Sequence, residues 1–134
     1  MNFGELKQTI EKLELTKGEY TIFGSGTLLA LGIVEIIEDI DIVVTINEYN
    51  RLLLYHQILG NGINIEIGSI KIEIFKDWSG MDVYEIINKA IYIDNIAFAA
   101  LNHVLEFKYI LKRPKDVEHI IKINKYINSK NEKR

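Results

Sequence analysis

FGSGTLLALGIVEIIEDIDIVV, residues Phe23–Val44, decides the fold. A short β-prone run, Tyr20–Phe23, enters a Gly-Ser-Gly turn, and a helix-permissive stretch, Thr27–Leu31, leaves it and stops at Gly32. Three acids, Glu38, Asp39 and Asp41, then crowd the start of a second β-branched run, Ile40–Ile46. The local order is strand, glycine turn, helix, strand. Asp39 and Asp41 stand one residue apart in a strand pattern, so both side chains leave the same face, within about 7 Å of each other. Carboxylates so placed repel unless a cation lies between them. Hard oxygen ligands at a strand end, with room for water, suit Mg²⁺ shared with a phosphate. The turn Gly24-Ser25-Gly26 points the same way. It lies where a helix begins, so free N–H groups attract phosphate, glycine permits close approach and Ser25 adds a hydroxyl. The turn is neither a Walker loop nor a dinucleotide fingerprint.

Working outward, Asn2 and Glu5 form a capping box for an amphipathic helix over 3–14, with Phe3, Leu6, Ile10 and Leu13 at helical spacing. Asn47 reads as the N-cap of a helix running to about Leu59, broken by Gly60-Asn61-Gly62. Two alternating runs, NINIEIG and IKIEIF, meet at Gly68-Ser69, the pattern of a two-residue hairpin. The second run puts Lys71, Glu73 and Phe75 on one face, and either Glu73 or Glu66 of the partner run can supply a third acid. Asp82 caps a helix to about Lys89, short strands over 91–93 and 96–98 flank Asp94-Asn95, and a helix covers 101–112. Pro114 opens the last helix, with Asp116 in its first turn, and 128–134 reads as a frayed tail. The alternation predicts an α/β (α+β) fold, one mixed sheet covered by helices.

Size and composition agree. With 134 residues, 48% apolar, 26% charged and one proline, the chain reads as a single globular domain over 1–134. It has no cysteine, which excludes disulfides, zinc thiolates and Cys nucleophiles. No run reaches the roughly 18 apolar residues of a membrane span, so the expected compartment is the cytoplasm, with no membrane partner. Charge is uneven. Residues 1–107 hold 7 Lys/Arg against 16 Asp/Glu, net −9, whereas 108–134 hold 9 against 3, net +6. Such a basic end either is a solvated helix face or binds phosphates or nucleic acid. Tyr109 and Tyr126 are too sparse for a base-stacking platform.

Lys108 falls within the apolar stripe of Leu101, Val104, Leu105 and Leu111, where it either snorkels or enters a site that needs a cation. Lys112, Arg113 and Lys115 follow within two turns. Together, the Gly-Ser turn, Asp39-Ile40-Asp41, an acid on a later strand and Arg113-Pro114-Lys115-Asp116 resemble the DNA polymerase beta-like nucleotidyltransferases. More narrowly, they are similar to the small enzymes that include type IV toxin-antitoxin toxins. The resemblance, over about Tyr20–Ile121, implies that family's fold with C-terminal helices. It implies two Mg²⁺ ions on Asp39, Asp41 and Glu73 as the catalytic acids, and nucleotide contacts from Gly24, Ser25, Gly26, Lys108, Arg113, Lys115 and Asp116. The implied activity moves a nucleoside monophosphate from a nucleoside triphosphate (NTP) to a hydroxyl on RNA, protein or a small molecule, releasing pyrophosphate. The implied partners are a cognate antitoxin or a second copy. The alternative is a non-catalytic nucleotide-binding module of the same fold, because Val34-Glu35-Ile36-Ile37-Glu38 stands in the stretch before the paired acids where many relatives carry Arg and Thr. Relatives also carry an acid where His119 stands. His56 and His103 read as surface or helix-face residues.

Overall fold

Local signals build most of the elements in the computed structural model, which describes residues 1–60 and 62–132. Asn2 accepts the Glu5 N–H at 2.9 Å while Glu5 accepts that of Asn2 at 3.1 Å, and this capping box starts α1, Phe3–Leu13. β1 is Tyr20–Phe23, α2 is Ser25–Ala30 and β2 is Asp39–Val44. The next helix, α3, is Ile46–Leu52, and its N-cap is Thr45, not Asn47. The Thr45 hydroxyl accepts the Glu48 N–H at 3.2 Å, which ends the β-branched run two residues early. The expected helix over 53–59 gives way to a turn and to β3, Ile58–Leu59, paired with β4, Gly62–Ile67. Asn61, part of the expected break, lies outside the described residues. The hairpin to β5, Ile70–Phe75, turns at Gly68-Ser69 as the alternation predicts. Asp82 caps α4, Val83–Asn88. Asp94 and Asn95, both at positive φ, turn β6, Ile91–Ile93, into β7, Ile96–Phe98. α5 is Leu101–Leu111 and α6 is Pro114–Glu132. Helix therefore continues through 128–132, where fraying was expected, and 133–134 lie outside the described residues.

The strands form one seven-stranded mixed sheet in the order β3-β4-β5-β2-β1-β7-β6. β2 pairs antiparallel with β1 and parallel with β5, and β1 pairs parallel with β7. Period-two alternation then sorts β2. Ile40, Ile42 and Val44 enter a core with Ile72, Ile74, Leu6 and Ile10, while Val43 enters a second core with Phe23, Ile86, Val104 and Phe107. The chain is thus a sheet with helices on both faces. α5 buries His103, Val104, Phe107 and Lys108, a stripe turned away from the Leu101/Leu105/Leu111 line of the sequence pattern, and leaves Ile110 and Leu111 exposed. His103 is thus a core residue and not a surface one. Phe23, Phe75, Trp78 and Phe107 form a ring cluster with neighbouring centroids 4.7–5.5 Å apart, on the same sheet face as Asp39 and Asp41.

Candidate functional site

The parallel register of β2 and β5 sets Asp39 beside Lys71 and Asp41 beside Glu73. Neighbours in register share a face, so the two aspartates and Glu73 stand together on the side opposite the Ile40/Ile42 core. Glu66 points to the same side but pairs with Lys71 across β4 and β5, one strand further from β2. Register therefore selects Glu73 as the third acid, the choice that sequence alone left open. Asp39 and Glu73 are exposed and Asp41 is half-buried. Burial raises the Asp41 carboxyl to about 6, with further upward pressure from Glu73 and then Asp39 against a weaker pull from Lys115 and Arg113. Such crowding is what a divalent cation relieves, and the donors are the hard oxygens that Mg²⁺ prefers. As placed, the carboxyls are not drawn in: among the described residues no three acidic or imidazole groups are close enough to hold a metal.

The turn before α2 abuts this face, because Phe23 at the end of β1 is the register partner of Asp41. Both glycines have conformational reasons to be there. Gly24 lies at φ 67°, ψ −130°, a region open to glycine, and a Cβ on Gly26 would fall 2.3 Å from the Ile22 Cγ2. Thr27 anchors the short helix by donating its hydroxyl to the Ala99 carbonyl at 2.8 Å. The chemistry of the turn therefore rests on Ser25, whose side chain lines the same cleft as Asp39 and Asp41.

The basic residues divide into two groups. Asp116 is fully buried and accepts from Lys108 Nζ at 3.2 Å, from Arg113 Nε at 2.7 Å and Nη2 at 3.2 Å, and from the Arg113 backbone N–H at 3.1 Å. Burial pushes this carboxyl up, but the Arg113 and Lys108 hydrogen bonds outweigh it and hold it at about 2. Lys108 is only 3% exposed, and burial lowers its pKa against the pull of Asp116. Lys108, Arg113 and Asp116 thus form a lock at the α5–α6 corner, where Lys112 turns the chain in the left-handed region. Of these three, the half-exposed Arg113 also feels the Asp41 charge. Lys115 is different. It is exposed and lines the cleft itself.

That cleft, about 320 Å³, lies between the 34–39 loop and α6, with Ser25 and Asp41 also lining it. It falls near the lower end of the roughly 300–1,000 Å³ typical of small-molecule sites. The loop is held at its centre, where the Ile37 N–H donates to the Met1 carbonyl at 3.0 Å. Ser25, Asp39, Asp41 and Lys115 line this cleft, Gly24 precedes Ser25, and Arg113 feels the Asp41 charge. Glu73 stands beside Asp41 but lines a neighbouring pocket with Asp39, Glu66 and Lys71. Gly26, Lys108 and Asp116 serve packing and the corner lock. His119 also lines the cleft, unforeseen. Its i,i+4 spacing from Lys115 was the available signal. No helix among the described residues is long and apolar enough to cross a membrane. No family model, no curated protein and no solved structure matches the chain.

Proposed function

We propose that the chain is a metal-dependent nucleotidyltransferase of the DNA polymerase beta-like type, moving a nucleoside monophosphate from an NTP to a hydroxyl acceptor. One observation carries this reading: Asp41 and Glu73 are lateral neighbours on parallel strands, with Asp39 two residues away on the same face and Ser25 lining the same cleft as the aspartates. Asp39, Asp41 and Glu73 are the residues that would hold Mg²⁺. Bound there, the ion supplies neutralisation of triphosphate charge and stabilisation of the leaving pyrophosphate. Lys115 offers the triphosphate a cation from the helix side, and Arg113, fixed by Asp116, adds positive potential beside Asp41. Glu73, exposed at the rim, takes the proton of the acceptor hydroxyl. The acceptor oxygen forms its bond to the α-phosphorus as the bond to the bridging oxygen breaks, and pyrophosphate leaves with the electron pair. The reading implies a reducing, NTP-rich compartment, the cytoplasm, in keeping with a chain that has no cysteine.

A second reading, a nucleotide-binding module without transfer, is favoured by the spacing of the carboxyls and by Glu38, which adds negative charge to the cleft. Incubation with each labelled NTP, Mg²⁺ and total RNA or cell extract, beside Asp41→Asn, tests both. Label transfer that the variant loses supports the enzyme. Mg²⁺-dependent stabilisation by NTP without transfer supports the module, and neither result leaves both readings unsupported.

A further inference from the structure

The two walls of the cleft differ in chemistry. On α6, Lys115 and His119 lie one turn apart on the face turned to the cleft. Across from them the 34–39 loop presents Val34, Ile36 and Ile37. Ile36 is 70% exposed, although a branched apolar side chain gains nothing from water, while its neighbour Ile37 is 5% exposed. His119 is half-buried, and its Nδ1 is buried with no hydrogen-bond partner. Unpaired buried polar atoms are uncommon, and one beside a cleft calls for an explanation. Burial and the Lys108 charge lower the His119 pKa, against smaller upward pulls from Asp116 and Glu118, which favours the neutral imidazole. The helix wall therefore carries a cation and, one turn on, a planar ring in a cleft whose other lining includes branched aliphatic carbon.

We propose that His119 and Ile36 are the specificity-determining pair for the nucleobase, the base lying between imidazole and isoleucine while Lys115 takes the phosphates. The proposal rests on the reading of this cleft as a nucleotide site and goes further by assigning its base-recognising end. A purine or pyrimidine suits such a slot because one face stacks on the imidazole and the other fills against aliphatic carbon. A phosphate alone has no use for either side chain.

Calorimetric binding to the full chain with Mg²⁺ separates these contributions, using the four NTPs and inorganic triphosphate as a probe that lacks a base. Wild type is expected to bind at least one NTP more tightly than inorganic triphosphate. His119→Ala and Ile36→Ala are expected to weaken that NTP roughly tenfold, the scale of one base–aromatic stack, and to leave inorganic triphosphate unchanged. His119→Phe, which keeps a stacking plane, should retain most of the affinity while altering the ranking of the four bases. Equal weakening of inorganic triphosphate by either alanine variant, or unchanged NTP binding in either, overturns the proposal. Ile36 is mostly exposed, so Ile36→Ala folds normally and keeps the test decisive. NTP binding with the expected variant pattern but no label transfer would sink the transferase reading and leave this one standing. A wild type that binds no NTP sinks both.

Discussion

Asp41→Asn should stabilise the protein while removing the label transfer expected of the proposed reaction. The carboxyl rises from 3.8 to about 6 on folding because it is buried beside Glu73 and Asp39. A folded state that holds a proton more tightly than the unfolded chain loses stability as pH climbs through that window, from about 4 to 6. A rise of about two pH units, at 1.36 kcal/mol each, gives a ceiling of about 3 kcal/mol at pH 8. Partial relaxation of the carboxylate toward water lowers this to about 1–3 kcal/mol. Asparagine keeps the shape and removes the charge, so the variant escapes the loss. At about 3–5 °C per kcal/mol for a domain of this size, the variant should melt roughly 3–15 °C above wild type at pH 8. Urea unfolding at half-unit steps from pH 4 to 8 checks the shape of the effect. The gap should open between pH 4 and 6 and stay level above. Mg²⁺ at pH 8 should close part of it by stabilising wild type selectively. A gap that is already full at pH 4, or absent at pH 8, would refute the claim that burial and the neighbouring acids disfavour the Asp41 charge in the folded chain.

Asp116→Asn should do the opposite, destabilising by about 3–5 kcal/mol because Lys108 is left buried without its counter-ion. Since the folded carboxyl is held at about 2, the wild-type advantage is present above pH 4 and should fade as pH falls from about 4 toward 2, as urea midpoints across that range will show. Gly26→Ala forces a Cβ to within 2.3 Å of the buried Ile22 Cγ2 and should lower stability by about 1–3 kcal/mol, read from chemical denaturation. Lys115→Ala should leave the melting temperature nearly unchanged and weaken inorganic triphosphate several-fold at low salt. Titrations at rising ionic strength should show that difference shrinking.

What the sequence displayed was local. The Asn2/Glu5 box, the Gly68-Ser69 hairpin, the Asp94-Asn95 turn and the Pro114 start each depend on a few adjacent residues, and each is present. The α3 start was misplaced because Thr45 and Asn47 are both good caps and Ile46 extends the β-branched run, so the hydroxyl bond to Glu48 decided it. Glu48, the residue after the expected cap at Asn47, is 2% exposed and tied to Thr16 and Arg51. Its partner Thr16 is 32 residues away, and no periodicity reports such a pairing. The choice of Glu73 over Glu66 required the parallel β2–β5 register, a long-range fact. Lys108 neither snorkels nor lines the cleft: it is buried against Asp116 across the helix break, a partner that spacing does not report. His119 is legible as a departure from the resembled motif, but its place in the cleft depends on how α6 docks against the loop before β2.

The cleft draws its lining from Ser25, the 34–39 loop, the start of β2 and, last, Lys115 and His119. A ribosome releases those segments in that order, so the chain has no complete pocket until its final helix has left the exit channel and docked. Whatever the pocket binds is therefore kept from any nascent chain that lacks α6, until the α5–α6 corner closes.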